Sequence, residues 1–417
     1  MIQQQTERWL WIWYTPYGLG GVENFLRMVT ANAKSNISHY VAAIQSLEGP
    51  LRTQSSSECR EILDWTSFYV AYMRRESPAS ACARLCSDIN SIQPNVVMIN
   101  GCTDFGIGAA QLLRKLSPYA KIVDSFHIDP IENTYLNHRR AYLHCLDGLV
   151  SSNRGAFEKM NAIFPRARRL PQAYIPYATE IPRSQRDAPT KNIRLLYLGR
   201  LDEPQKRVSV LPDVLFRARE LGANVSLSIA GDGPERESLE RKFQSKGLCD
   251  YVRFLGYVSQ ETASRLLIEH DCMVNVSRFE GFSISVIEAL AAGCVPICTR
   301  LSNMDFDVLK NGENCLLCSL SQPLEMADII AKLEPLQLEK LSTAAMKAGR
   351  QFSPDRMRNS YQSFATSIEK RGGAAAYPKN GVPPFTWDVS RGNPWLHRVH
   401  PIKRVVKSFL KLLNKQR

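Results

Sequence analysis

Residues 272–298 read CMVNVSRFEGFSISVIEALAAGCVPIC. Two short apolar runs, Cys272–Val276 and Val295–Cys298, bracket a longer apolar stretch that opens at Gly281–Ser283 and stops at Gly293. A strand that passes through a glycine turn into a helix and then into another strand is a βαβ unit, whose strands are parallel. One residue of the helix does not suit an apolar surface. Glu288 is surrounded by Ile284, Val286, Ile287, Ala289, Leu290, Ala291 and Ala292, where an unpartnered carboxylate is costly. A ribose diol or a basic side chain would each satisfy it. Glu280 sits eight residues earlier, just after the first strand. The N–H groups at Gly281–Ile284 open the helix and face any anion or sugar hydroxyl above them.

The same alternation extends in both directions. Strands are expected at Arg194–Leu198, Val225–Ala230, Val252–Leu255 and Cys315–Cys318, with helices between them such as Val208–Leu221 and Glu235–Phe243. An earlier series comprises Trp9–Tyr14, Val96–Asn100, Lys121–Ser125 and Gly148–Ser151. Both series predict an α/β fold with parallel sheets covered by helices on both faces. Between them, TEIPRSQRDAPTKN (179–192) is polar, holds two prolines and lacks either period, so it reads as a linker. A chain of 417 residues fits this two-domain division. The expected organisation is a first domain over 1–178, the linker 179–192, a second domain over 193–353, a helix over 354–370 and an irregular extension over 371–417.

Ligands of an open parallel sheet bind where strand carboxyl ends meet helix N-termini. LLYLGRLDEPQKR (195–207) runs from a strand into Gly199, Arg200 and Lys206. Arg clasps a phosphate with two parallel hydrogen bonds and Lys serves as a mobile point charge. SIAGDGPERESL (228–239) places Gly231, Asp232 and Gly233 before Pro234, but it does not fit the dinucleotide fingerprint. In the first half, YTPYGLGGVENF (14–25) sets Gly18, Gly20 and Gly21 between a strand and a helix, and KIVDSFHIDP (121–130) ends a strand near His127.

Taken together, GRL…KR, AGDGPE, FLGYV and EGFSISVIEALAAGCVPI resemble glycosyltransferase family 4, a retaining group with the GT-B fold. The resemblance covers roughly residues 9–370 and is strongest over 194–298. It implies two Rossmann-like domains facing across a cleft, with the nucleotide-sugar donor on the second and the acceptor mainly on the first. Arg200 and Lys206 would hold the donor diphosphate, and Glu288 the nucleotide ribose. Glu280 and the amides of Gly281, Phe282, Ser283 and Ile284 would take the donor sugar's hydroxyls. Gly20 and Gly21 would close over the phosphates. Gly199, Gly231, Asp232 and Gly233 complete the donor-binding set, and His127 would lie near the transferred sugar. The implied reaction retains configuration, with the acceptor hydroxyl attacking from the leaving-group face and the departing phosphate taking its proton. Arg200, Lys206 and helix amides would stabilise the charge growing on that phosphate. The helix at 354–370 would cross back to the first domain. One departure is CTRLSNMDFDV (298–308), where the family often has Gly-Gly. Asp305–Asp307 there read as a capping or solvent-facing pair, and no metal or other cofactor is expected.

Composition bounds the alternatives. Hydrophobic residues make up 44% of the chain and charged residues 22%, as in ordinary globular proteins. The net charge is +13, and Arg398, Lys403, Arg404, Lys407, Lys411, Lys415 and Arg417 concentrate it in the last residues. Ile402, Val405, Val406, Phe409, Leu412 and Leu413 recur there at helical spacing, so 394–417 forms a basic amphipathic helix suited to an anionic membrane surface or to packing on the body. No nucleic-acid module is present, and specific nucleic acid is not an expected partner. The eleven cysteines lack a small-domain disulfide pattern, and Cys315–Cys318 reads as core thiols rather than a metal or redox pair. The apolar run near the N-terminus is cut by Pro16 and is too short for a signal sequence. A reducing, cytoplasmic setting follows, with the tail offered to the membrane face. The rival readings are a GT-B epimerase acting on a nucleotide-sugar alone and an inactive binding scaffold.

Overall fold

The computed structural model describes residues 6–14, 21–31, 36–46, 68–72, 89, 91–100, 110, 113–114, 117, 119–127, 143–163, 165–182, 186–203, 205–280, 283–301 and 308–370. Gly18, Gly20, Gly281, Phe282, Asp305–Asp307 and the tail 371–417 lie outside them, and so do the expectations attached to those positions. The described residues divide into two units, 1–175 with 358–417 and 176–357.

In the first unit, seven strands are joined in the order β3-β2-β1-β4-β5-β6-β7, every pair parallel. They are β1 (Glu7–Tyr14), β2 (Ile37–Ser46), β3 (Phe68–Tyr72), β4 (Val96–Asn100), β5 (Lys121–Phe126), β6 (Gly148–Ser151) and β7 (Gln172–Tyr174). The central strands are continuous apolar runs because both faces are covered; Val96–Ile99 and Ile122–Val123 are fully buried. Helices α1 (Gly21–Thr30) and α2 (Arg154–Ile163) belong to this unit. Asp147 is fully buried and is held by Arg114 at 2.5 Å and by the Ile122 amide at 2.7 Å, so its charge is both paired and hydrogen-bonded.

The second unit repeats the design with six parallel strands in the order β10-β9-β8-β11-β12-β13. These are β8 (Ile193–Leu198), β9 (Val225–Ala230), β10 (Val252–Gly256), β11 (Cys272–Asn275), β12 (Val295–Thr299) and β13 (Leu316–Cys318). The helices are α3 (Leu211–Glu220), α4 (Arg236–Ser245), α5 (Gln260–Glu269), α6 (Ile284–Ala292), α7 (Glu325–Ala331) and α8 (Pro335–Gly349). The order reverses between β8 and β11, and this switch point opens a crevice at their carboxyl ends. The structure splits the stretch expected as one helix, Val208–Leu221. A 3-10 turn at Val208–Val210 precedes α3, because Pro212 at the start of α3 supplies no N–H to continue an earlier turn.

Described residues of the stretch 179–192 pack on the second unit. Thr179 donates its amide to Phe352 at 2.8 Å, and Arg186 donates to the carbonyls of His270 at 2.6 Å and Ala292 at 3.3 Å. Asp271, fully buried, lies 3.7 Å from Arg186 and 2.9 Å from Arg194. A buried carboxylate needs such cations, so the polar composition here serves packing on the second unit.

Helix α9 (Pro354–Ser367) begins with residues of the second unit and continues with residues of the first. From Arg358 onward it docks on the first unit. Arg358 donates to the Met28 carbonyl at 2.7 Å, Tyr361 Oη meets Ser125 Oγ at 3.1 Å, and Lys121 donates to the Ala365 carbonyl at 2.7 Å. Gly148 leaves room for Phe364, whose ring a Cβ at that position would meet at 2.9 Å.

Candidate functional site

At the carboxyl end of β8 the chain turns at Gly199 and crosses toward β11. Tyr197, buried, donates from its hydroxyl to the Arg200 carbonyl at 2.6 Å, and burial together with nearby Glu280 keeps that phenol protonated. Asp202 Oδ1 accepts from the amides of Gln205 at 3.2 Å and Lys206 at 3.1 Å, closing the turn. Arg207 then adopts the left-handed conformation with φ of 50°. Its buried guanidinium donates to the carbonyls of Val276 and Leu320, both at 2.9 Å, which compensates the strain of that backbone.

The turn delivers Lys206 to Glu280, with Nζ 2.6 Å from Oε1. Glu280, almost fully buried, also accepts from Ser277 Oγ at 2.7 Å and from Gln205 Nε2 at 3.2 Å. Gln205 Oε1 in turn accepts from Arg200 at 2.9 Å. Arg200, Gln205, Lys206 and Glu280 therefore form one network. Arg200 keeps an exposed guanidinium, 65% accessible, also paired with Asp202 at 3.1 Å. Asp202 and Glu280 balance the two cations, and Arg200, with its exposed guanidinium, is the cation open to an incoming anion.

Helix α6 starts beside this network. Ser283 is its N-cap, yet the serine makes no side-chain cap: its hydroxyl meets Asn275 Nδ2 at 3.1 Å and Ser285 Oγ at 3.3 Å. The first turn carries no acidic residue, so the positive end of the helix dipole is left for an external acceptor. Glu288 lies further along α6, apart from the Lys206–Glu280 network. Its Oε1 accepts from Gln260 Nε2 at 2.6 Å, and burial pushes its carboxyl up to about 7 despite that hydrogen bond. Of the partners open to Glu288 from sequence, the described residues supply no basic side chain; they supply a neutral amide.

Gly231 and Gly233 lie where the β9 turn presses against the β8 turn. A Cβ on Gly231, at φ of 148°, would fall on the Gly199 carbonyl oxygen. Asp232 is exposed and accepts from the Gly233 amide at 2.9 Å. These residues shape the crevice wall by close backbone approach.

In the first unit, Gly21 opens α1 and His127 follows β5. The imidazole is buried, lies 3.2 Å from Asn100 Oδ1 and meets Phe25 at a tilt with ring centroids 5.1 Å apart; Phe25 itself meets Tyr361 at 5.7 Å. Gln205, Ser277, Asn275 and Gln260 escaped the sequence reading. They are uncharged and common on surfaces, and only their partners distinguish them. Cys315 and Cys318 are buried free thiols, pushed by burial up to about 12 and about 11, so both stay protonated. Among the described residues no group of His, Cys, Asp and Glu is arranged to hold a metal, and no helix is long and apolar enough to cross a membrane.

The two units, each built on a Rossmann-type parallel sheet, give the chain the GT-B fold. Residues 179–352 match the family described as glycosyl transferases group 1. Phosphatidyl-myo-inositol mannosyltransferase of Mycobacterium leprae is 31% identical over 184 residues, covering 42% of this chain and 48% of that protein. The chain thus spans about half the length of the curated relatives it matches, or less. The fold is similar to the lipopolysaccharide outer core galactosyltransferase WaaB in its apo form, with a TM-score of 0.66 at 18% identity over 86% of this chain and 99% of that one. It is also similar to Anabaena Alr3699/HepE in complex with UDP, with a TM-score of 0.69 at 14% identity over 87% of this chain and 100% of that one.

Proposed function

We propose that this protein transfers a sugar from a nucleotide-diphosphate sugar to a saccharide or lipid-linked acceptor in cell-surface glycan synthesis, with retention of anomeric configuration. The observation that carries the reading is the Lys206–Glu280 contact of 2.6 Å, extended by Gln205 to the exposed Arg200, at the switch point of the second sheet. A diphosphate leaving group placed there meets two cations and the uncapped N-terminus of α6, and these preset charges stabilise it as the glycosidic bond breaks. Glu280 sits at the junction between phosphate and sugar, where it accepts from sugar hydroxyls. Glu288 accepts from the ribose diol. His127 positions the transferred sugar or the acceptor. No metal is assigned to the reaction, since the lysine and arginine supply the countercharge. The basic tail 394–417 brings the protein to an anionic cytoplasmic membrane face, a role in keeping with a relative named for phosphatidyl-myo-inositol. The group 1 match of residues 179–352 supports the donor side of this reading.

The test is thermal stabilisation of the purified full chain across UDP-, GDP-, ADP- and dTDP-sugars, with Glu288→Ala alongside. A rise confined to one nucleotide and lost in the variant is expected. The absence of a rise with every donor would refute the donor site. Conversion of a donor without any acceptor would replace transfer with epimerisation.

A further inference from the structure

Burial pushes the Glu288 carboxyl up to about 7, and few polar groups of the described residues reach it. It is 8% exposed, it projects from α6, and Gln260 Nε2 at 2.6 Å makes the hydrogen bond it accepts from the described residues. Gln260 is the first residue of α5, and α5 packs on α6. The end of α5 is capped by Ser259, whose hydroxyl accepts from the Thr262 amide at 3.2 Å, so capping is not the function of the glutamine side chain. Gln260 is an exposed residue whose side-chain amide makes a partly buried bond to Glu288.

We propose that Gln260 is a positioning residue of the nucleotide site: it fixes the Glu288 carboxyl plane by bonding Oε1 and directs Oε2 to a vicinal ribose diol. This rests on the reading of Glu288 as the ribose acceptor. The argument is one of hydrogen-bond supply. A protonated carboxyl has one donor and accepts weakly, whereas an ionised one accepts from both hydroxyls of a diol. Burial opposes ionisation, and a donated hydrogen bond favours it. A neutral amide supplies that bond without a cation, which would compete with the sugar for the same carboxylate. A lysine at this position would pair with Glu288 permanently; a leucine would leave it protonated.

The charged neighbours do not supply the effect. On α5, Glu261, Arg265 and Glu269 are exposed, and on α8, which packs against α6, so are Glu339, Lys340 and Lys347, with Arg350 just beyond. From β11 and β12 the titratable side chains are Cys272 and Cys298, fully buried and held protonated by that burial. Burial and the Gln260 amide are the influences that act on the Glu288 carboxyl.

The experiment measures binding of UDP, GDP and ADP to the full chain by isothermal titration from pH 5.5 to 8.5. Wild type, Gln260→Leu, Gln260→Glu and Glu288→Ala are compared, with the 2′-deoxy form of the nucleotide that binds best. Wild-type affinity should rise with pH through about 7. In Gln260→Leu the rise should move up by about one pH unit, which weakens binding about fivefold at pH 7 and much less at pH 8.5. Gln260→Glu should instead lose affinity as pH rises, because two carboxylates then face each other. The 2′-deoxy nucleotide should bind wild type and Gln260→Leu alike. At pH 5.5, where Glu288 is protonated in all these forms, both variants should melt close to wild type, which separates positioning from folding. Wild-type pH profiles in both variants, with binding lost in Glu288→Ala, would overturn the role of Gln260 and keep the ribose reading. Failure of every nucleotide to bind wild type would overturn both.

Discussion

Lys206 Nζ stands 2.6 Å from Glu280 Oε1 although 74 positions separate the two residues, because β8 and β11 are neighbours and their carboxyl ends meet. Glu280 also keeps Ser277 and Gln205 as donors, so loss of the lysine does not strand it. Lys206→Ala is expected to fold, to lose about 1–3 kcal/mol of stability, and to lower kcat/KM by about two to three orders of magnitude. Arg200→Ala, at an exposed side chain, should lower kcat comparably with stability within about 0.5 kcal/mol. Chemical denaturation and steady-state kinetics read both; near-normal turnover in either variant removes that cation from the reaction.

Glu288 makes stability depend on pH. Its carboxyl rises from 4.5 in the unfolded chain to about 7 in the fold. Between those values the folded state binds more protons than the unfolded one, so stability falls as pH rises through this window. Glu288→Gln removes the ionisable group, and should match wild type near pH 4.5 and exceed it by about 3 kcal/mol at pH 8. Urea denaturation at both pH values tests this. A constant difference would mean that Glu288 titrates normally.

His39 works in the opposite direction. Trp11 Nε1 donates to its Nδ1 at 3.0 Å, and burial, reinforced by Arg358, lowers the imidazole to about 4. The unfolded chain binds the extra proton between about 6.5 and 4, so the stability contributed by neutral His39 is present above 6.5 and lost as pH falls through that window. His39→Gln should flatten the acid limb of thermal melting recorded from pH 7 to pH 4.5. An unchanged acid limb would show that other groups govern it.

Gly231 tests the close approach of the β8 and β9 turns. Its Cβ would occupy the position of the Gly199 carbonyl oxygen, which is backbone and cannot swing aside. Gly231→Ala should cost more than about 2 kcal/mol and displace the Arg200 and Lys206 turn, so donor affinity falls along with stability. Gly222→Ala, where a Cβ meets nothing within 4 Å at φ of 90°, should be destabilising through backbone strain alone and leave donor affinity unchanged.

Much of this fold was legible because strand and turn signals are local. Val96–Asn100, Gly148–Ser151 and Val225–Ala230 are strands with the bounds their apolar runs suggest. Strand β2 was not legible, since ISHYVAAIQS mixes Ser38, His39 and Gln45 into the run. His39 suits a strand only because Trp11 on β1 donates to it, and no window along the chain contains both. The packing of Arg186, in the stretch 179–192, was not legible for a related reason. Its side chain looks solvated until Asp271 is placed beside it.

The amino-acid sequence by itself determined the alternation of strands and helices, the glycine turns after β8 and β9, and the charged residues carried at strand ends. Each depends on neighbours a few positions away, which set backbone preference and periodicity. The tertiary structure alone decided which of those side chains meet. Lys206 reaches Glu280 because the sheet order seats β8 beside β11, and Gln260 reaches Glu288 because α5 packs on α6. Strand order is a property of the whole sheet, and an uncharged amide or hydroxyl announces no partner until that order brings one within hydrogen-bond distance.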